Sequence, residues 1–216
     1  MKVYQGLNVD LIESFPLSEI KRLAGWIHCY KNIIHSDDSP QTDEELIAYF
    51  TAYFQQPNVR SWGLIDKNNK VNIHHEAPLV GFGAFEFAGA PNGARNGYFH
   101  CATTRKAWGS GIINEAARVA FNTIFTEHPE MLRVSSFVIN NNFPARKLAL
   151  TLGMKIEGVL EDAVLQSGIP KPLTHFGLTR RKWISNIAAE ALKDSNDNVS
   201  DATPGRVGSP EAIASV

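Results

Sequence analysis

Apolar residues recur with two different periods along the chain, and the change of period predicts the order of helices and strands. Residues 16–34 carry apolar side chains at helical spacing, with Pro16 in a first-turn position, and predict a first helix. Thr42 and Glu45 make a capping-box pattern that predicts the start of a second helix. The loop between these helices, where substrate contacts often lie, contains His35, Asp37, Asp38 and Pro40.

From residue 61 the apolar positions alternate, which is typical of strands. The predicted strands are residues 61–66, 79–88, 98–104, 131–139, 154–160 and 175–179. Residues 111–127 form the clearest amphipathic helix, and a further helix opens near Pro144 and ends at Gly153. The stretch between the last two strands is predicted to be a loop, because it contains Gly168, Pro170 and Pro172.

The composition of the 216 residues excludes several classes of protein. With 44% hydrophobic and 20% charged residues, the chain matches globular proteins that build a hydrophobic core. Its 21 Lys and Arg against 22 Asp and Glu give a formal charge of -1, so no global charge favours nucleic acid or an acidic membrane surface. Any charged partner must therefore meet a local patch.

Two cysteines, Cys29 and Cys101, are too few for a disulfide scaffold or a zinc finger, and we expect no metal. The chain shows neither a signal-peptide pattern nor a run of about 18 apolar residues, so we expect a cytoplasmic protein without a membrane partner. Residues 1–189 are predicted to form one domain, and the polar stretch 190–216 is predicted to be a mobile tail.

A glycine-rich turn between a strand and the amphipathic helix is the first candidate for chemistry. Residues 103–113 read Thr-Thr-Arg-Lys-Ala-Trp-Gly-Ser-Gly-Ile-Ile. Such a turn presents unpaired amides and the positive end of the helix dipole to an anion, which suits a phosphate or pyrophosphate. A tight turn without a ligand also explains Gly109 and Gly111. The segment is neither a P-loop nor a dinucleotide-binding fingerprint.

The motifs that follow this turn extend the pattern. After the helix and a strand come Asn142-Phe143-Pro144-Ala145, Leu152-Gly153-Met154 and Glu157-Gly158-Val159-Leu160. In this order the chain resembles the GCN5-related N-acetyltransferases, most closely the subgroup that acetylates the N-terminal amine of ribosomal proteins. The resemblance is strongest over residues 98–183. It implies an α/β (α+β) fold, with a single mixed, mostly antiparallel central sheet of about six to seven strands flanked by about four helices.

The resemblance also implies acetyl-CoA as the cosubstrate and assigns residues that bind it. The pyrophosphate is expected on the turn formed by Trp108, Gly109, Ser110, Gly111, Ile112 and Ile113. The preceding strand is expected to offer backbone groups to the pantetheine arm at His100, Cys101 and Ala102.

Polar residues beside these segments have two readings each. Asn142 and Ala145 belong to one motif, which the resemblance implies binds the cofactor. Asn142 is expected to bond the pantetheine arm or order the reacting end, to cap the next helix, or to do both. Lys106 and Arg105 precede the anion turn directly and are the better cations for the CoA phosphates. The cations of the next helix, Arg146 and Lys147, are more simply read as solvated.

Four positions depart from the family pattern. Ile113 replaces the small residue that usually ends the pyrophosphate motif. Ala149 and Ala145 stand where relatives carry a Tyr or a Ser as the general acid, and Phe137 corresponds to a Glu base of the ribosomal subgroup. These positions therefore supply no acid or base.

An amine acceptor arrives mostly protonated, since its pKa is about 8–10, so a nearby proton acceptor is useful. Glu86 interrupts an apolar strand face and either serves the chemistry or lies at the solvated end of its strand. His100 is either a base beside the thioester or a satisfied core histidine. With Asn142 these are the catalytic candidates, whereas Glu157 is read as structural and His175 as a weaker option.

Two functions of different classes remain open. The first is an acetyl-CoA-dependent N-acetyltransferase whose acceptor is a primary amine of a protein N-terminus, a lysine or a small molecule. The second is an inactive protein-interaction module with the same fold, motivated by Ala145, Ala149 and Phe137. A tail that docks a larger assembly is a third hypothesis. The acceptor and the oligomeric state do not follow from the sequence.

Overall fold

One eight-stranded sheet with five α-helices makes up the structure, a computed structural model that describes residues 2–28, 36–68, 79–89 and 93–200, without the side chains of Trp26, His28 and 193–200. The strands are β1 Val3–Gln5, β2 Val9–Glu13, β3 Val59–Asp66, β4 Leu79–Phe87, β5 Asn96–Thr103, β6 Arg133–Ile139, β7 Lys155–Gln166 and β8 Ile169–Thr179. The helices are α1 Ile20–His28, α2 Asp43–Phe54, α3 Ile112–Glu127, α4 Phe143–Thr151 and α5 Arg180–Ser200.

The strand order is β1-β2-β3-β4-β5-β6-β8-β7, and each neighbouring pair is antiparallel except β5 with β6. The predicted mixed, mostly antiparallel sheet is thus confirmed, with a strand count slightly above the predicted six to seven. The additional strands are β1 and β2. They were missed because β2 alternates over only five residues, with Val9 and Leu11 buried.

The prediction of a loop between the last two strands is wrong. β7 and β8 form a long hairpin whose turn is Ser167-Gly168, and both residues have positive φ angles (54° and 70°), as in a two-residue hairpin turn. The prolines that suggested a loop lie in β8. A proline in a strand still accepts hydrogen bonds, and Asn140 N donates to the Pro172 carbonyl at 3.1 Å.

Helices cover both faces of the sheet. α1 and α2 pack on one face in a cluster that includes Leu23, Phe50 and Phe82, and α3 packs on the other with Phe99 and Phe121. The capping box at the start of α2 is present as predicted. The predicted first helix is confirmed from residue 20 to 28, after a short 3-10 turn, and its remaining part, with Cys29, lies outside the described residues.

The last helix, α5, was not predicted as a helix. It extends through residue 200 and so includes the first part of the stretch predicted to be a mobile tail. Trp183 Nε1 donates to Asn122 Oδ1 at 2.9 Å and attaches α5 to α3. The mobility of residues 190–216 stays a prediction, because residues 201–216 lie outside the described part of the chain.

The start of α3 is held against the sheet by Glu115. Its carboxylate accepts hydrogen bonds from Asn8 N at 2.7 Å and from Asn8 Nδ2 at 3.0 Å, in the turn between β1 and β2. These bonds lower the pKa of Glu115 despite the opposing effect of partial burial. These hydrogen bonds therefore hold in place the start of α3, which the glycine-rich turn precedes.

Candidate active site

The sheet opens between β5 and β6, and this gap forms the candidate site. Among the described residues the two strands pair only from Asn96 to Tyr98 with Arg133 to Ser135, although both continue beyond that point. A cavity of about 480 Å³ lies there. Four groups of residues line it, from the α1–α2 region, β4 with β5, β6, and α4 with the residues that flank it.

The backbone of β5 is divided between β4 and the gap. Thr104 N donates to Val80 O at 2.8 Å, and Ala88 N donates to Asn96 O at 2.9 Å, so the even-numbered residues of β5 bond to β4. The N–H and C=O of Cys101 consequently turn toward the gap. His100 and Ala102, predicted with Cys101 to meet the pantetheine arm, line the cavity but direct their backbone groups to β4.

The glycine turn follows β5 and does not line the cavity itself. Gly109 and Gly111 have φ angles of +76° and +82°, a conformation that favours glycine, and Gly111 is the N-cap of α3. Within the described part of the chain, the amides of Gly109, Gly111 and Ile113 have no hydrogen-bond partner. These three amides at a helix N-terminus are available to an anion.

Other amides of this turn are already used by the chain itself. Trp108 N donates to Arg105 O at 3.0 Å, Ser110 N contacts Ala107 O at 3.4 Å, and Ile112 N contacts Ser110 Oγ at 3.4 Å. Fewer amides are therefore available to an anion than the six residues of the predicted turn would offer. Lys106 is exposed in the short 3-10 turn before it, where its amine can reach an anion.

Asn142 occupies the start of α4. Its side-chain Oδ1 accepts a hydrogen bond from Ala145 N at 3.2 Å, so the capping reading is confirmed. Asn142 and Ala145 also line the cavity. Their predicted contact with the pantetheine arm is compatible with the cap and stays a prediction.

Glu86 and His100 come together on the α1–α2 face of the sheet. Glu86 Oε2 lies 3.8 Å from His100 Nε2, and both side chains line the cavity. Burial lowers the pKa of His100 and the Glu86 carboxylate partly opposes this effect. This shift favours the neutral imidazole, which faces the cavity.

Tyr53 is a wall residue whose polar part the sequence analysis missed. Tyr53 lies on α2, and its ring packs edge-on against His100, with centroids 6.0 Å apart. The hydroxyl is enclosed, makes no hydrogen bond of ordinary geometry among the described residues, and lies beside the Glu86 carboxylate. Burial, with the nearby charge of Glu86, raises the pKa of Tyr53, which keeps it protonated. Tyrosines usually pair this hydroxyl when buried, and that expectation was the available signal.

Of the other residues singled out in the sequence, Cys101 lines the cavity, whereas His175 and Glu157 do not. His175 stacks on Phe137 at 4.6 Å and lies 3.8 Å from Glu157, which is ion-paired with Arg133. Burial raises the pKa of Cys101 to about 12, so this thiol is protonated and a poor nucleophile.

The three positions where relatives carry acids or bases lie in the cavity wall. Phe137, Ala145 and Ala149 all line the cavity. No cluster of three or more His, Cys, Asp or Glu that could hold a metal occurs in the described ranges. Within the same ranges, no helix combines the length and apolarity that crossing a membrane requires.

A mixed sheet that splits between two parallel strands, beside a glycine turn at a helix N-terminus, is the arrangement expected of an acyl-CoA N-acyltransferase. Residues 19–155 match the sequence model of the acetyltransferase (GNAT) domain. The chain therefore belongs to the GNAT family and is an N-acetyltransferase. No curated protein gives a significant sequence match.

Solved structures of acetyltransferases share the fold. The ribosomal-protein-S5-alanine acetyltransferase of Vibrio fischeri superposes with a TM-score of 0.64 at 14% identity, over 85% of this chain and 99% of that one. Mycobacterium smegmatis RimJ, solved in complex with CoA-disulfide, gives 0.63 at 13% identity over 84% and 86%. The Vibrio cholerae spermidine/spermine N-acetyltransferase SpeG gives 0.65 at 14% identity over 83% and 98%. At these identities the likeness shows the fold alone.

Proposed function

We propose that this chain transfers the acetyl group of acetyl-CoA to a primary amine that lies between Glu86 and His100. The observation that carries the proposal is this pair, 3.8 Å apart, in the wall of the cavity where the sheet opens. An amine at that point can donate one hydrogen bond to the Glu86 carboxylate and another to the neutral His100 Nε2. The acceptors named for SpeG and for the S5 acetyltransferase are amines of this kind.

The residues that would hold acetyl-CoA fit its chemistry. The free amides of Gly109, Gly111 and Ile113 suit the pyrophosphate, with Lys106 beside them, and the gap-facing backbone of Cys101 suits the amide groups of the pantetheine arm. Acetyl-CoA supplies the activated acetyl group. Its thioester is expected to reach the cavity along β5.

His100 and Glu86 have different tasks in this proposal. As the amine nitrogen bonds to the acetyl carbon it becomes positively charged and acidic, so a weak base suffices. His100 Nε2 accepts that proton, and the adjacent Glu86 carboxylate stabilises the resulting imidazolium. The sulfur leaves with the electron pair of the broken bond and takes up a proton from solvent. Ordering the two reactants supplies much of the remaining acceleration.

Two measurements on the wild-type chain test the proposal. Isothermal titration with acetyl-CoA is expected to show binding, and thiol release is expected with at least one amine of a panel that contains butylamine, spermidine and trialanine. Absence of binding at millimolar acetyl-CoA contradicts the assignment of the gap. Binding without thiol release across the panel favours the inactive interaction module. We also propose that the acceptor is a primary amine, that the chain is related to the ribosomal-protein subgroup, and that it is cytoplasmic.

A further inference from the structure

The loop before α2 is fastened to the tip of the β7–β8 hairpin by hydrogen bonds centred on Asp37. Asp37 N donates to Leu165 O at 2.7 Å. In return Ser167 N donates to Asp37 Oδ1 and Gly168 N donates to Oδ2, each at 2.8 Å. The two central amides of a two-residue hairpin turn have no partner within the hairpin, and the carboxylate satisfies both of them. We call these three hydrogen bonds the latch.

The same hairpin tip is anchored on its other side. Asn141 Nδ2 donates to Gln166 Oε1 at 2.6 Å, and Gln166 is buried. Asn141 immediately precedes Asn142, which lines the cavity, just as Asp37 immediately precedes Asp38, which also lines it. The hairpin tip therefore joins the two sides of the cavity through residues adjacent to its wall.

This bridge lies on the acceptor side of the site. The glycine turn opens α3, which covers the opposite face of the sheet, whereas the latched loop connects to α2, the helix whose Tyr53 contacts His100. Acetyl-CoA and the amine are thus expected to approach from different faces. A bridge across the amine's approach limits the width of what enters.

We propose that Asp37 is a specificity-determining residue: the latch keeps the acceptor side narrow, so that the enzyme takes slim primary amines and excludes lysines on the surface of a folded protein. This inference rests on the proposed function. By slim amines we mean primary amines on a narrow chain, which include small alkylamines and extended peptide N-termini. Butylamine and trialanine distinguish these two sources in the test. Asp37 acts through the hairpin it holds and is not assigned a part in proton transfer.

The test compares three acceptors in wild type, Asp37→Ala and Asp37→Asn. Thiol release gives kcat/KM for butylamine, for trialanine and for the lysines of folded ubiquitin. In Asp37→Ala the ratio of ubiquitin to butylamine is expected to rise by about tenfold, which corresponds to about 1.4 kcal/mol of lost discrimination. Asp37→Asn keeps one acceptor oxygen, so its ratio of ubiquitin to butylamine is expected to lie between those of wild type and Asp37→Ala. Glu161→Ala, which removes an exposed carboxylate from β7, is the matched control and leaves the ratio unchanged.

Hydrogen exchange of the Ser167 and Gly168 amides reports the latch independently of turnover. Both amides are expected to exchange faster in Asp37→Ala than in wild type. An opened latch with an unchanged acceptor ratio overturns the inference, and so does unchanged exchange. If Asp37→Ala fails to fold, Asp37→Asn alone decides, by the same two readouts. Absence of thiol release by the wild type with butylamine, spermidine and trialanine is instead a failure of the proposed function, and the inference falls with it.

Discussion

The two proposed ends of the site are built from different parts of the chain. The proposed cofactor end is one contiguous segment whose backbone amides at Gly109, Gly111 and Ile113 have no hydrogen-bond partner among the described residues. The proposed acceptor end consists of side chains that come from separate elements, Glu86 from β4 and His100 from β5. A backbone site is damaged by whatever changes the path of the chain, whereas a side-chain site is damaged by removal of one functional group. The following variants sharpen that difference, beginning with the largest expected effect.

Removing the charge of Glu86 is expected to have the largest effect. Glu86→Gln keeps the shape of the side chain and leaves the backbone unchanged. We expect kcat to fall by about a hundredfold, because the imidazolium that forms on His100 loses the carboxylate that stabilises it, while acetyl-CoA affinity is retained. Thiol-release kinetics and isothermal titration measure the two quantities. The matched surface control is Glu44→Gln, and an unchanged kcat in Glu86→Gln would remove Glu86 from the mechanism.

At the cofactor end the corresponding change is Gly111→Trp. A Cβ atom at Gly111 would have no other atom within 4 Å, so the fold tolerates the volume, and the strain of a positive φ costs about 1–2 kcal/mol. The indole is expected to cover the free amides and weaken acetyl-CoA binding by at least about tenfold, as loss of even one charged-group hydrogen bond does. Isothermal titration measures the affinity.

Gly93→Trp is the control for backbone strain in that experiment. Gly93 also has a positive φ, +92°, and open space around its Cβ position, but it lies in the connection between β4 and β5. Its substitution is expected to leave acetyl-CoA affinity intact. A folded Gly111→Trp protein that binds acetyl-CoA as wild type does would show that the pyrophosphate sits elsewhere.

The same contrast explains what could be predicted from the sequence. The glycine turn is local, since nine consecutive residues contain the 3-10 turn, both glycines and the start of α3. Its place between a strand and a helix could therefore be predicted from the sequence. The amphipathic pattern of α3 and the capping box of α2 could be predicted for the same reason.

The acceptor end depends on pairing between distant segments, which a single sequence does not specify. Glu86 and His100 meet because β4 and β5 are antiparallel in a register that sets Glu86 opposite Tyr98. Tyr53 joins them only through the packing of α2 on that face. The latch likewise connects Asp37 to a turn 130 residues further along the chain. Because a loop was predicted where β7 and β8 form a hairpin, that turn was not predicted.

Tyr53 should respond to loss of its hydroxyl in the opposite way to an ordinary buried tyrosine. Its enclosed hydroxyl makes no hydrogen bond of ordinary geometry among the described residues and interacts only weakly with Glu86, so Tyr53→Phe is expected to leave the Tm unchanged or raise it by a few degrees, equivalent to about 1 kcal/mol. Tyr4→Phe is the contrasting variant. The Tyr4 hydroxyl contacts Glu127 at 3.3 Å and accepts from Arg60, so its loss should lower the Tm. A lower Tm for Tyr53→Phe would show that its hydroxyl is bonded in solution.

The smallest expected effect is a change in the titration of His100. Burial disfavours the imidazolium, so the midpoint of His100 in an NMR titration is expected below its ordinary value of 6.5, and the Glu86 carboxylate at 3.8 Å raises it part of the way back. Glu86→Gln removes that attraction, so the midpoint should move further down. The pKa of His100 is lower in the folded chain than in the unfolded chain. This residue therefore destabilises the fold only as the pH falls below about 6.5, where the unfolded chain binds the proton more readily. Glu161→Gln should leave the midpoint in place. A midpoint that rises in Glu86→Gln would mean that the two side chains do not face each other, and the acceptor end would then lack the pair on which its chemistry depends.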